Sequence, residues 1–125
     1  MLKSFLLLNP IYKYLFPDMD SNTVIITEER IEHIKERHPD DYEKYAIYIP
    51  AVLSDPDYIL SSNKPYTAVV MKSFNEGKFR LILKIKIKSD PPGYKNSILS
   101  FWKIGEKTWN KNIKNKNILY KKEHL

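Results

Sequence analysis

The sequence predicts an α+β domain, in which N-terminal helices pack on a four-stranded antiparallel β-sheet and a short additional helix and strand follow at the C-terminal end. Two observations carry this prediction. The first half has helix signals, above all the capping residue Thr27 before a run of charged and apolar residues. The second half has strands of alternating apolar and polar residues, which are clearest between residues 79 and 88.

The N-terminal elements follow from proline and cap signals. Residues 1–23 are apolar and interrupted by prolines, which predicts an arm that packs on the main domain, residues 24–125. The run 24–26 predicts a brief strand. The first helix is expected to end at residue 37, because Pro39 disfavours helix at the residue before it. A second helix is predicted from about residue 40, and Pro50 either kinks it or begins a further turn.

The C-terminal half predicts the sheet. Its strands are expected at residues 58–60, 67–74, 79–88 and 97–103. Residues 75–78, Asn-Glu-Gly-Lys, predict a hairpin turn between two of these strands. A lysine-rich helix over 106–114 and a last strand over 118–120 complete the chain.

Alternation gives each strand two unlike faces. In the strand 79–88 the odd positions are apolar and face the core, whereas the other face carries Arg80, Lys84, Lys86 and Lys88. In the next strand Leu99 and Phe101 are predicted to share the core face. The opposite face then carries Ile98, Ser100 and Trp102.

Charge is distributed unevenly along the 125 residues, whose net charge is +6. Residues 1–77 hold 8 Lys/Arg against 12 Asp/Glu, and residues 78–125 hold 13 against 3. This asymmetry predicts a polyanionic partner such as RNA, held by Lys84 and Lys86, although a merely solvated lysine surface is the alternative. The chain has no cysteine, which excludes thiol catalysis and a disulfide scaffold. No stretch of sequence is apolar enough to span a membrane, so we expect a cytoplasmic protein with no membrane partner.

The first helix places two histidines beside arginines. On a helical wheel His38 joins the apolar stripe of Ile31 and Ile34, while His33 lies beside Arg37 on the flank. Histidine moves a proton near neutral pH and arginine stabilises charge on a phosphate, so these groups suffice for metal-independent RNA cleavage. Each histidine taken alone is also compatible with a structural role.

A second group of polar residues precedes the last long strand. Lys95 offers a cation, and Asn96 and Ser97 offer hydrogen bonds, after the turn Pro92-Gly93. Trp102 offers a stacking face for an unpaired base, with Ser100 beside it, although a place in the core is equally compatible with its sequence.

The acidic residues support a rival hypothesis. Asp57 after Pro56, followed by Glu76 and Lys78, matches the loose pattern of metal-dependent nucleases. Two of these three residues lie in a predicted turn, so we predict no metal site and no cofactor.

The chain resembles phage-associated members of the Barnase–EndoU–colicin E5/D–RelE-like nuclease superfamily. The likeness rests on ITEERIEHIKERHP at 26–39, on DPDYI at 55–59 and on the segment 93–103, with ILYK at 118–121 in support. It covers roughly residues 24–122.

This resemblance implies N-terminal helices on a four-stranded antiparallel sheet, metal-independent RNase activity and a bacterial or phage origin, in a prophage or toxin system with an antitoxin or immunity protein. The catalytic residues it favours are His33, Arg37, His38, Lys95 and Ser97. The expected substrate-binding residues are Lys84, Lys86, Asn96, Ser100 and Trp102. Which histidine is acid and which is base stays open, and the alternative is a non-catalytic RNA- or protein-binding module on the same scaffold.

Overall fold

The N-terminal residues add a strand to the edge of the sheet. The computed structural model describes residues 2–5, 8–123 and 125, so Met1, Leu6 and Leu7 of the predicted arm, and His124, lie outside the described residues. Strand β1 (Leu2–Phe5) pairs antiparallel with β2 (Val24–Thr27), and helix α1 (Ile11–Leu15) lies between them in the chain. The arm also contributes side chains to the main core, namely Leu8, Tyr12 and Met19.

The first long helix forms as predicted. Helix α2 (Glu28–Arg37) follows β2 directly, and the Thr27 Oγ1 accepts a hydrogen bond from the Arg30 amide at 3.2 Å, which caps its first turn. The second predicted helix is instead divided into α3 (Asp41–Tyr45), a 3-10 turn (Ala46–Tyr48) and α4 (Ile49–Ser54). Pro50 lies in the first turn of α4, where a missing amide hydrogen costs no helical hydrogen bond.

The remaining elements build the sheet and one more helix. They are β3 (Tyr58–Ser61), β4 (Thr67–Phe74), β5 (Gly77–Lys84), β6 (Asn96–Ile104), α5 (Glu106–Asn115) and β7 (Ile118–Lys121). Within the described residues the sheet has seven strands in the order β1-β2-β6-β5-β4-β3-β7. All neighbours are antiparallel except β2 and β6, which are parallel.

The α+β class is therefore confirmed, but the prediction of a four-stranded antiparallel sheet is wrong. The short strands predicted at 24–26 and 118–120 form as β2 and β7 and both join the sheet, whereas β1 was not predicted as a strand. The parallel pair joins Val24 to Asn96, which are far apart in sequence, and no local pattern encodes such a pairing.

Strand β5 is also shorter than predicted, because it ends at Lys84 rather than Lys88. Beyond it the Ile85 amide donates to the Tyr66 carbonyl at 2.8 Å, and Ile87 forms an isolated bridge with Met19. The Lys86 ammonium is buried in an ion pair with Asp20. These contacts turn the chain toward the N-terminal arm.

Two cores lie on opposite faces of the sheet. The main core contains Phe79, Leu81 and Leu83, the predicted inward positions, packed with residues of α1 to α4. A smaller cluster on the other face includes Trp109 of α5 with Leu60 and Met71, so α5 covers part of the face that was predicted to be basic. None of the helices among the described residues has the length and apolar character needed to cross a membrane.

Candidate active site

One face of α2 forms a wall of a cavity beside β6. Strand β2 pairs with the first two residues of β6 through Val24 and Ile25, and α2 begins three residues later and contacts β6. The cavity has a volume of about 350 Å³. Its helical wall is built by Arg30, His33, Ile34, Arg37 and His38, whose spacing places them on a single face of the helix.

A β-bulge in β6 forms the opposite wall. The register shifts between Ile82 and Leu83 of β5, which pair with Ser100 and Ile98 and leave Leu99 as the extra residue. The prediction that Leu99 faces the core and Ile98 faces away is therefore wrong, since Ile98 is fully buried in the main core. The bulge instead brings Leu99 into the cavity wall beside Ser100 and Trp102.

His38 and Trp102 contact each other directly within this cavity. Their ring centres are 4.4 Å apart and their planes are 21° from parallel, which is a stacked arrangement. The His38 amide also donates to the Ile34 carbonyl at 2.8 Å, so both main chain and ring are held at the helix end. The two residues that the sequence placed on separate elements are thus brought together.

Ser100, which lines the cavity, carries a buried hydroxyl. Its Oγ is buried, and no hydrogen-bond partner for it lies within the described part of the chain. A buried hydroxyl without a partner costs free energy, so a polar ligand atom that came within hydrogen-bond distance of it would be favourable.

The third wall was not predicted. Ser62 and Lys64 from the loop after β3, and Thr67 at the start of β4, also line the cavity. The Ser62 Oγ accepts from the Lys64 amide at 3.3 Å, and the Thr67 hydroxyl donates to the Pro65 carbonyl at 3.1 Å. The only sequence feature that pointed to this wall was the polar run Ser-Ser-Asn-Lys-Pro at 61–65, which taken alone predicts an ordinary turn.

The cavity is basic throughout. Arg30, Arg37 and Lys64 are cations, and His33 and His38 lie among them in the lining. None of the described residues that line it is acidic. The arrangement therefore suits an anion that also has a flat apolar part, because Leu99, Ile82 and Trp102 complete the lining.

Lys95 and Ser97 lie apart from this cavity. Lys95 directly precedes β6 and is five positions before Ser100, which corresponds to about 16 Å of extended chain. Lys95 is exposed, and the Ser97 hydroxyl donates to the Lys95 carbonyl at 2.9 Å. Ser97 pairs across the sheet with Lys84, whose ammonium donates to the Pro65 carbonyl at 3.3 Å.

Asn96 and Lys86 form structural contacts. Asn96 is fully buried, and its amide group joins three main-chain groups, the Lys86 amide and the carbonyls of Ser21 and Thr23. Lys86 is buried in its ion pair with Asp20. The Lys86 ammonium lowers the pKa of Asp20, mainly through their hydrogen bond. These contacts leave neither side chain directed at the cavity.

The rival metal-site residues are engaged in other contacts. The Asp57 carboxylate accepts from the Ser73 amide at 2.8 Å and lies 3.5 Å from the Lys72 ammonium. Lys78 lies 3.4 Å from a Glu106 carboxylate oxygen. Across the described ranges, no three His, Asp or Glu side chains are grouped as metal ligands, so we assign no residue that role.

Comparison with known protein families finds a family that matches this sequence. The family described as phage-Barnase-EndoU-ColicinE5/D-RelE like nuclease 2 matches residues 4–121 of the 125. That match begins within the N-terminal arm, earlier than the resemblance read from the motifs. Searches of curated proteins and of solved structures found no match. With nearly the whole chain matched, and with a basic cavity suited to an anionic substrate, this protein belongs to the phage-Barnase-EndoU-ColicinE5/D-RelE like nuclease 2 family.

Proposed function

We propose that this nuclease-family protein is a metal-independent endoribonuclease whose reaction takes place in the cavity between α2 and β6. The observation that carries the proposal is the composition of that cavity. Two histidines, two arginines and a lysine line it, and no described lining residue is acidic. Such a set can move protons and stabilise a phosphate without any protein nucleophile.

RNA supplies the remaining chemistry. A base removes the proton from the ribose 2′-OH, whose oxygen then attacks the adjacent phosphorus. The bond from phosphorus to the 5′-oxygen breaks, and an acid protonates that leaving oxygen. The products are a 2′,3′-cyclic phosphate and a new 5′-OH, and the extra negative charge of the transition state requires nearby cations.

We assign the two proton-transfer roles to His33 and His38, in an order that stays open. Arg37, helped by Arg30 and Lys64, stabilises the charged phosphate, because guanidinium groups bind phosphate oxygens in a fork geometry. The unpartnered Ser100 hydroxyl donates to the substrate. Lys84, Lys95 and Ser97 lie outside this centre, and we propose them as contacts for more distant nucleotides.

One observation favours a second candidate, a non-catalytic RNA-binding module. The His38 ring is stacked on Trp102, which is a contact that a purely structural histidine also makes. In that case the basic cavity binds RNA with strong salt dependence and without turnover.

A cleavage assay in EDTA separates these candidates. We expect the protein to cleave RNA in EDTA with 2′,3′-cyclic phosphate ends, and His33→Ala, His38→Ala and Arg37→Ala each to lower the rate by about 100-fold or more. Lys35→Ala is the matched control for Arg37→Ala, because Lys35 is a cation on the same helix that pairs with Glu43 outside the cavity. Cleavage only with added Mg²⁺, or full activity in all three variants, would contradict the proposal.

The biological setting is part of the same proposal. A phage-associated nuclease of this kind fits a prophage or toxin system with a protein inhibitor. Expression in bacteria should then arrest growth, and His33→Ala with His38→Ala should relieve the arrest. Growth arrest that persists in the variant carrying both His33→Ala and His38→Ala would show that the toxicity does not depend on RNA cleavage.

A further inference from the structure

A second cavity borders the first, and Trp102 lines both. Its volume is about 360 Å³. Arg80 of β5 forms another part of the wall, and α5 and the residue after it contribute Lys111, Asn112, Asn115 and Lys116. The residues 111, 112 and 115 share one helical face, so this side of α5 is turned toward Trp102.

Arg80 is the unusual member of this cavity. It is half-buried, its guanidinium carbon lies 5.7 Å from the centre of the Trp102 ring, and its Nε donates to the Asn112 Oδ1 at 3.3 Å. The Asn112 amide nitrogen donates to the Thr108 carbonyl at 2.8 Å, which directs the amide oxygen toward Arg80. The guanidinium is thus held in one orientation.

The described residues provide no counter-ion for Arg80. Throughout the described part of the chain, no carboxylate lies within ion-pair distance of its guanidinium, and burial lowers its pKa. Lys111 and Lys116 add positive charge, and no described residue lining the second cavity is acidic. Keeping a partly desolvated cation without a counter-ion is costly, so an anion that binds here recovers that free energy.

We propose that the second cavity is a nucleotide subsite, which binds the phosphate next to the scissile one in single-stranded RNA. The inference rests on the proposed function, since the first cavity holds the scissile phosphate. Trp102 is the shared wall over which the chain of nucleotides passes, and Arg80 with Lys111 binds the neighbouring phosphate. The enzyme therefore recognises RNA longer than a dinucleotide.

Binding of short oligonucleotides tests the subsite without relying on catalysis. The probes are two 2′-O-methyl RNAs. One is a dinucleotide, which has one internucleotide phosphate, and the other is a tetranucleotide, which has three. These have no attacking 2′-OH and stay intact. The variants are Arg80→Gln and Lys111→Ala, and the control is Lys107→Ala, an exposed lysine of α5 that does not line the cavity.

We expect Arg80→Gln and Lys111→Ala to raise the Kd of the tetranucleotide about tenfold, which is typical for one charged hydrogen bond. The Kd of the dinucleotide should change less than about twofold, and Lys107→Ala should change neither. The slope of log Kd against log salt should fall by about 0.7 for each phosphate contact removed. Lys111→Ala keeps the test valid if Arg80→Gln folds poorly, since Lys111 is exposed.

Three results would overturn the subsite. They are an unchanged tetranucleotide Kd in both variants, an equal loss for both probes, and a wild-type protein that binds the tetranucleotide no more tightly than the dinucleotide. Failure of the proposed function looks different. If the wild type leaves ordinary RNA intact while the length-dependent losses remain, the subsite stands and the catalytic assignment falls.

Discussion

Replacing Asn96 by alanine should destabilise the protein strongly and leave its rate of RNA cleavage unchanged. The side chain is fully buried and forms three hydrogen bonds to main-chain groups, with its Oδ1 2.7 Å from the Lys86 nitrogen and its Nδ2 2.5 and 2.9 Å from the carbonyl oxygens of Ser21 and Thr23. It therefore joins the N-terminal arm, the segment after β5 and the start of β6.

The magnitude follows from those three bonds. Each contributes about 1 kcal/mol net, and each main-chain group that is left buried without a partner adds to the loss, so Asn96→Ala should lower the free energy of unfolding by about 3–5 kcal/mol. For a chain of this length that corresponds to a fall in Tm of roughly 12–20 °C.

Denaturation followed by circular dichroism, with heat and with urea, measures this loss. Ser97→Ala is the matched control, because the neighbouring hydroxyl bonds to the Lys95 carbonyl and its loss should cost less than about 1 kcal/mol. RNA cleavage by the folded Asn96→Ala protein at low temperature should match the wild type. A variant with an unchanged Tm but weakened RNA binding would refute this reasoning and restore Asn96 as a substrate contact.

Three further outcomes are expected. Trp102→Leu should lower the rate at saturating RNA about 2–10-fold, because the stack that holds His38 is worth about 0.5–1.5 kcal/mol; an unchanged rate would mean that Trp102 does not position this ring. Thr27→Ala should cost about 1 kcal/mol of unfolding free energy through loss of the α2 cap, measured by urea titration, and Thr27→Ser should recover most of it. Hydrogen bonds from Lys122 and Lys72 hold the pKa of Asp55 below its usual range, so its carboxylate should stabilise the fold at pH values above that range. The Tm difference between wild type and Asp55→Asn should therefore shrink as the pH is lowered through that range, and a constant difference would exclude this ion pair as its source.

Several parts of the fold were predicted from the sequence because their signals are local. Thr27 caps α2 through a bond to a residue three positions away, and the alternation of Phe79, Leu81 and Leu83 directly reports which face is buried. The residues Asn75 and Glu76 form the predicted hairpin turn, since Phe74 pairs with Gly77.

The misplaced residues share a different cause. Ile98 and Leu99 exchanged faces because the β-bulge is a property of how β5 and β6 fit together, and strict alternation along one strand cannot reveal it. Lys86 was taken for a surface cation, but the arm folds over it and supplies Asp20. Both errors arise where a long-range contact overrides the local pattern.

The sequence by itself determined the α+β class, the capped helix that carries His33, Arg37 and His38, and the resemblance to a nuclease family that the match over residues 4–121 bears out. These features depend on periodicity, capping and motifs, which are local patterns of neighbouring residues. Only the tertiary structure decided that His38 stacks on Trp102, that the loop after β3 completes the cavity, and that Arg80 opens a second cavity beside it. Such contacts join elements distant in the chain, and their geometry is set by sheet pairing and by the bulge rather than by any single segment.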